Sequence, residues 1–445
     1  MKRRTSIVCG IALGALLFTA GAFGVVRSAD RSTASAAISL TAPAAANGIA
    51  HVSGATLDQT ISSLQAHLEQ VPGDYVAWAT LGLAYVQQAK VTVNSDYYPK
   101  AEGVLNKSLA INDGENFLAY AGLASLANAR HDFAAAEQHA QHGLQINPYS
   151  DLLYGALSDA EIQLGEYEQA FVHVQRMVDL SPDTSSLSRA SYTWELRGDI
   201  EQATALMQQA LDDAPTGSNR AFALFCLGEL EFNSGDANSA LTYYRSALDT
   251  APGDPASLQG KAKAEAALGQ NLTAIDDYAS VVGQAPEPSY LIEYGELLQS
   301  LGRTAEADEQ YAIFATTQTL FAANGVEQDA DSTLFYANHG DPQRALESAE
   351  QGITTRPFVV MNDAYAWALH VNGRDAEALI QIDKALSTGM DNALFHYHRG
   401  MIELALGHAA EARSSLERAL AINPHFNPLA APVAADALER LGASS

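Results

Sequence analysis

An alanine recurs along this chain at Ala136, Ala170, Ala203, Ala240, Ala274, Ala307, Ala345, Ala378 and Ala412, at intervals of 33 to 38 residues. Five residues before eight of the nine stands a glycine: Gly165, Gly198, Gly235, Gly269, Gly302, Gly340, Gly373 and Gly407. Twelve residues after most of them stands a proline: Pro148, Pro182, Pro215, Pro252, Pro286, Pro357 and Pro424. A unit of roughly 34 residues is too small to bury its own apolar face, so units of this kind stack on one another. The period predicts an all-α solenoid of helical hairpins.

Residues 151–182 show what one unit is made of. Leu153, Leu157, Ala160 and Leu164 fall at helical spacing, and so do Tyr167, Ala170, Val174, Met177 and Val178. Gly165 lies between the two runs, where a helix stops most readily on a residue that tolerates left-handed backbone. Glu166 is expected in the first turn of the second helix, where the dipole favours a carboxylate. Ala170 marks a close approach of the two helices. Pro182 cannot continue the second helix and sends the chain on to the next unit.

This pattern resembles the tetratricopeptide repeat, whose units carry a large residue at position 4, Leu-Gly at 7 and 8, Gly at 15, Ala at 20, an apolar residue at 24, Ala at 27 and Pro at 32. In residues 221–252 those places hold Leu224, Leu227, Gly228, Gly235, Ala240, Tyr244, Ala247 and Pro252; in 393–424 they hold His396, Arg399, Gly400, Gly407, Ala412, Leu416, Ala419 and Pro424. Repeats begin near 75, 117, 151, 184, 221, 255, 288, 326, 359 and 393. The resemblance implies a right-handed superhelix of about ten repeats. Three places depart from it: an insertion around Asp96-Tyr97-Tyr98-Pro99, a long stretch after Tyr311, and a small added loop at 216–220. Residues 57–71 and 428–441 read as single helices capping the solenoid of 56–441 at front and rear.

The amino end is a different object. Lys2, Arg3 and Arg4 precede an uncharged apolar run from Ile7 to Val26. Residues 1–26 read as a signal peptide, with Ala20-Gly21-Ala22 as a cleavage site, or as a signal-anchor transmembrane helix; both remain open. Residues 27–55, rich in Ala, Ser and Thr, read as a flexible linker. Either leader puts the solenoid outside the cytoplasm. The wording of the last repeats is similar to secreted or membrane-anchored repeat proteins of high-GC Gram-positive bacteria.

From Asp30 onward, 21 basic residues face all 52 acids, a net charge of −31. Such a balance disfavours nucleic acid and anionic membranes as partners and favours cationic ones. Membrane contact is expected only through the leader. Cys226 has no second cysteine beyond the leader to pair with and reads as a buried structural thiol.

The chain has no Gly-x-Ser-x-Gly elbow, no His-Glu-x-x-His, no phosphate-binding glycine loop and no Cys-x-x-Cys. An enzyme is not expected, nor is a cofactor. His139 and His142 share a helix face and are the best metal candidates, though weak ones. His396 and His398 point apart and cannot chelate together.

The resemblance implies a concave site lined by first-helix positions 2, 5, 9, 12 and 13. Carried over, these give Asp159, Gln163, Tyr192, Glu195, Phe222, Phe225, Glu229, Phe232 and Asn233 in the middle, and Asp363, Trp367, His370, Tyr397 and Met401 at the rear. Aromatics among carboxylates suit a peptide with basic and apolar side chains. Equally, the aromatics could pack between neighbouring repeats. Function therefore reads as a non-catalytic, extracytoplasmic protein-binding scaffold. The alternatives are a metal-binding accessory protein and a self-assembling envelope element.

Overall fold

The structure, a computed structural model, describes residues 54–326 and 330–443. The leader at 1–26 and nearly all of the 27–55 linker lie outside the described residues. Among those described, every regular element is a helix. Helix α1 (Gly54–Gln70) leads. Ten hairpins follow: α2 (Tyr75–Thr92) with α3 (Tyr97–Ile111), α4 (Phe117–Ala129) with α5 (Phe133–Ile146), α6 (Asp151–Gln163) with α7 (Tyr167–Leu180), α8 (Thr184–Glu195) with α9 (Ile200–Asp212), and α10 (Gly217–Asn233) with α11 (Ala237–Thr250). The second five are α12 (Pro255–Ala267) with α13 (Asn271–Gln284), α14 (Pro288–Ser300) with α15 (Thr304–Ala323), α16 (Ala330–Asn338) with α17 (Pro342–Thr355), α18 (Val359–Val371) with α19 (Asp375–Ala385), and α20 (Ala393–Ala405) with α21 (Ala409–Ile422). Helix α22 (Ala430–Ala443) ends the described chain.

The recurrent residues sit where their chemistry requires. All eight hairpin glycines adopt positive φ, from 74° to 91°, a region open to glycine at little cost. The second hairpin has His131 there instead, at φ 64°, and the first has Val93 at φ 50°. The residue after the turn is commonly an aspartate: Asp132, Asp199, Asp236 and Asp341 each cap the second helix by accepting a backbone N–H. Glu166 occupies the cap position of α7 rather than its first turn and makes no capping bond. The nine recurrent alanines are at most 1% exposed. Position-8 glycines accept the large position-24 side chain: a Cβ at Gly228 would lie 2.5 Å from the Tyr244 ring, and one at Gly400 2.6 Å from Leu416 Cγ.

The predicted small loop at 216–220 is helical instead. Thr216 accepts the N–H of Asn219, and α10 begins at Gly217, a turn earlier than its counterparts. Both cap segments pack by apolar faces. Leu57, Ile61, Leu64 and Leu68 of α1 meet Leu81 and Tyr85 of α2, and Ala430, Ala431, Ala434 and Ala437 of α22 join the rear core.

The solenoid winds tightly enough for its second turn to rest on its first. The Arg356 Nε donates to Gln163 Oε1 (2.6 Å), Val359 N to the Tyr167 hydroxyl (2.8 Å) and Asn423 Nδ2 to Phe232 O (2.7 Å), across 193, 192 and 191 residues. That offset is roughly five and a half repeats of about 34 residues. One apolar core runs through the seam, joining Ile162, Tyr192 and Leu196 to Phe358, Val359, Met390 and Leu394. Two irregular segments also meet there. Asn324, just past the lengthened α15, donates to Ser95 Oγ in the insertion before α3 (2.9 Å).

Candidate functional site

Because the turns stack, the inward-facing first helices are buried nearly all round, whereas the second helices bury only one stripe. Much of what the first helices bury is polar, which demands partners. Successive helices supply them. Arg189 grips Asp159 through two bonds (2.9 and 2.7 Å). Lys263 donates to both oxygens of Glu229 (2.8 and 2.7 Å), and Tyr244 OH to one of them (2.5 Å). Gln259 and Tyr278 donate to Glu293 Oε2. His398 Nδ1 pairs with Asp363 (2.8 Å), both fully buried. These pairs form a ladder up the inner wall.

The expected concave residues occupy that wall but are not an open surface. Tyr192, Phe225 and Trp367 are 8, 4 and 3% exposed. Trp367 stacks on His398 at 4.2 Å and donates to Asn338 Oδ1 (2.7 Å). Asp159 and Gln163 are buried and engaged by Arg189 and Arg356. Packing between repeats and turns is therefore what these five side chains do here. Phe222, Glu195, Glu229, Asn233 and His370 are half-buried, and His370 pairs with Asp375 (2.5 Å).

Among the described residues, two cavities lie where the rear of the chain meets the inner wall. The smaller, about 260 Å³, is lined by Glu195, Phe232 and Asn233 from the first turn and by Asp391, Arg418 and Asn423 from the second. The larger, about 490 Å³, lies among α12, α14 and the segment from Leu420 to Ala435, and includes Lys263, Glu293, Glu296 and Asn427. Burial pushes Glu195 up to about 7, helped by the Glu229 charge. Burial likewise raises Glu293 to about 7, against the pull of Lys263 and its hydrogen bonds. At the other end of the wall, burial lowers the Lys90 ammonium to about 7. Position 9 runs through this wall as Asp159, Tyr192, Glu229, Lys263, Glu296, Leu334 and Trp367. Extending the position rule to the repeat at 288 finds Glu296; Glu293 and Asn427 fall outside that rule.

The histidine candidates each have neighbours of their own. His139 and His142 lie against Tyr120, with ring centroids at 6.4 and 4.3 Å. His396 and His398 pair separately, with Asp391 (2.9 Å) and Asp363 (2.8 Å). Ligand atoms of Glu137, Glu161 and Glu166 do converge, within 4.8 Å of one another, with His173 Nδ1 on Glu161 at 2.8 Å. Cys226 is buried, and burial raises its thiol. Among the described residues no helix is long and apolar enough to cross a membrane.

Comparison with known proteins agrees with the hairpin geometry. Family models described as tetratricopeptide repeat match residues 393–426 and 197–255. These two segments are tetratricopeptide repeats. The cellulose synthase 1 operon protein C of Komagataeibacter xylinus is 24% identical over 270 residues, spanning 55% of this chain but only 20% of that protein. Among solved structures, human IFIT1, as a dimer with PPP-AAAA, is 14% identical, with 82% of this chain and 86% of that one covered at a TM-score of 0.46. The Cut9–Hcn1 structure of the APC/C is 14% identical, with coverage of 81% and 76% and a TM-score of 0.44. A tetratricopeptide repeat protein of Parabacteroides merdae is 19% identical, with coverage of 58% and 98% and a TM-score of 0.34.

Proposed function

We propose that this protein is a non-catalytic, extracytoplasmic scaffold that binds a protein or peptide with basic and apolar side chains along the inner wall of its superhelix. One observation carries the reading. The wall facing the second turn gathers Glu195, Glu229, Glu293 and Glu296, with Phe232 among them, against Lys263 and the second turn's Arg418, which is itself paired with Asp391, and opens into two cavities. Carboxylates beside aromatic rings attract a cationic side chain through charge and ring faces together. The partner reaches the wall through the cavities, not along an open concave groove, because the stacked turns cover most of the expected groove residues. The basic-then-apolar residues 2–26 support an extracytoplasmic site, by anchor or by cleaved signal.

Crosslinking in cells followed by mass spectrometry tests the reading. A specific envelope protein, with crosslinks falling on the residues around Glu195 and Asn233, is expected. Crosslinks confined to the outer helices, or to cytoplasmic proteins, contradict it. The metal-accessory reading has one observation in its favour, the convergence of Glu137, Glu161 and Glu166. Metal analysis of the purified protein separates the two, since a scaffold of this kind holds no stoichiometric metal.

A further inference from the structure

The larger cavity has more structure than a seam left imperfectly filled. Its volume of about 490 Å³ falls within the range of small-molecule sites, about 300–1,000 Å³. Its deep lining is apolar on two sides, through Phe232, Leu297 and Phe426, which are 4, 3 and 9% exposed. The polar groups converge from different turns. Glu296 is 1% exposed. Its Oε2 accepts from Asn427 Nδ2 (2.9 Å), which lies 131 residues further along the chain. Its Oε1 is buried and accepts no hydrogen bond; it faces His339 Nε2 at 3.6 Å, an atom equally without a hydrogen bond. A buried carboxylate oxygen without a hydrogen bond costs on the order of 1–3 kcal/mol, so this one favours a donor that approaches more closely than the His339 ring.

The charge on the lining points the same way. Glu293 and Glu296 are its two acids, and Lys263 is the one lysine or arginine on it. Lys263 is already committed to both oxygens of Glu229 and lies over the Phe232 ring at 4.7 Å. Burial holding Glu293 near 7 is the mark of a carboxylate short of compensating charge. Exposed Ser300, His425 and Pro428 form the rim, so the cavity is reached from solvent without opening the fold.

We propose that this cavity binds an organic cation, an ammonium or guanidinium group on an apolar stem, whose N–H groups bond Glu296 Oε1 and Glu293 while its stem lies between Phe232, Leu297 and Phe426. The inference deepens the scaffold reading by naming the chemistry recognised at one point of the inner wall. The cation reaches the cavity either as a free small amine or as an arginine or lysine side chain of the bound partner.

Calorimetry on the full-length chain tests this with two probes, agmatine and a capped Gly-Gly-Arg-Gly-Gly peptide. Saturable binding of at least one is expected. Glu296→Gln, which keeps the acceptor for Asn427, should weaken it by about tenfold or more. Ser300→Phe at the exposed rim should weaken it with no change in melting temperature. Tight agmatine with weak peptide assigns a free amine as the ligand, and the reverse assigns a side chain. No saturable binding of either probe up to about 10 mM, or binding indifferent to both substitutions, overturns the proposal. Crosslinking to an envelope partner that persists in Glu296→Gln would leave the scaffold reading standing without this pocket.

Discussion

At the scale of single residues, the periodic positions divide by backbone conformation and by burial. His131, like Val93, departs from the other hairpin turns, holding φ 64° where eight repeats place glycine. A side chain in left-handed backbone costs roughly 1–2 kcal/mol, offset here in part by stacking on Phe133 at 5.7 Å. His131→Gly is therefore expected to raise unfolding free energy by up to about 1 kcal/mol, read by chemical denaturation. A loss would show that the ring contacts outweigh the strain. Buried ionisable groups predict an unusual pH profile. Glu195 and Glu293 titrate near 7 in the folded chain, above their ordinary value. The folded state therefore holds their protons more tightly than the unfolded state, and their contribution to stability is lost as pH rises from about 4.5 to 7. Lys90, lowered to about 7, works oppositely: its contribution grows from pH 7 towards 10.5. Melting temperature across pH 5–7 should fall less steeply in Glu195→Gln with Glu293→Gln than in the parent, and its recovery above pH 7 should shrink in Lys90→Met. Unchanged limbs in both variants would contradict these assignments.

At the scale of elements, the rear of the chain both caps the last repeat and holds the turns together. Cutting after Gly407 removes α21 and α22, leaving Phe395, Tyr397 and Ile402 of α20, now at most 1% exposed, without cover. It also removes Asn423 from Phe232 O and Asn427 from Glu296. Uncovering a few hundred Å² of apolar surface costs several kcal/mol at about 25 cal/mol per Å². Deleting residues 1–53 leaves every described helix intact. Hydrogen exchange should show the Gly407 truncation fraying around α20 and also around the α10–α11 turn, a whole superhelical turn away, with the front deletion showing neither. The hairpins were legible in the sequence because glycine, alanine and proline recur at fixed offsets and each has a local reason to be there. The second partners of Arg356, Asn423 and Asn427 were not, since they lie 131 to 193 residues away and no period marks them. Tyr192 and Trp367 were ambiguous for the same reason. Position 9 faces inward in every repeat, but only the winding of the whole superhelix decides whether inward means open or covered.

At the scale of the molecule, the second superhelical turn bears on the first. Repeat proteins are usually stabilised by neighbouring repeats alone; here contacts about 190 residues apart add a second axis of packing. That closure turns a candidate groove into a buried polar ladder with two cavities, and it makes the cavities dependent on both turns. Two hairpin glycines isolate the seam. Gly198 and Gly269 have nearly the same φ, 77° and 74°, so alanine at either pays the same backbone strain. Their surroundings differ. A Cβ at Gly198 would lie 2.3 Å from Gly389 O on the second turn, whereas a Cβ at Gly269 meets nothing within 4 Å. The direct test is the unfolding free energy of Gly198→Ala set against that of Gly269→Ala in the full-length chain. Gly198→Ala is expected to cost about 1–3 kcal/mol more, the usual penalty of overpacking. Equal losses in the two variants would mean that the turns stand apart in solution, and the closed superhelix with its inner cavities would fall.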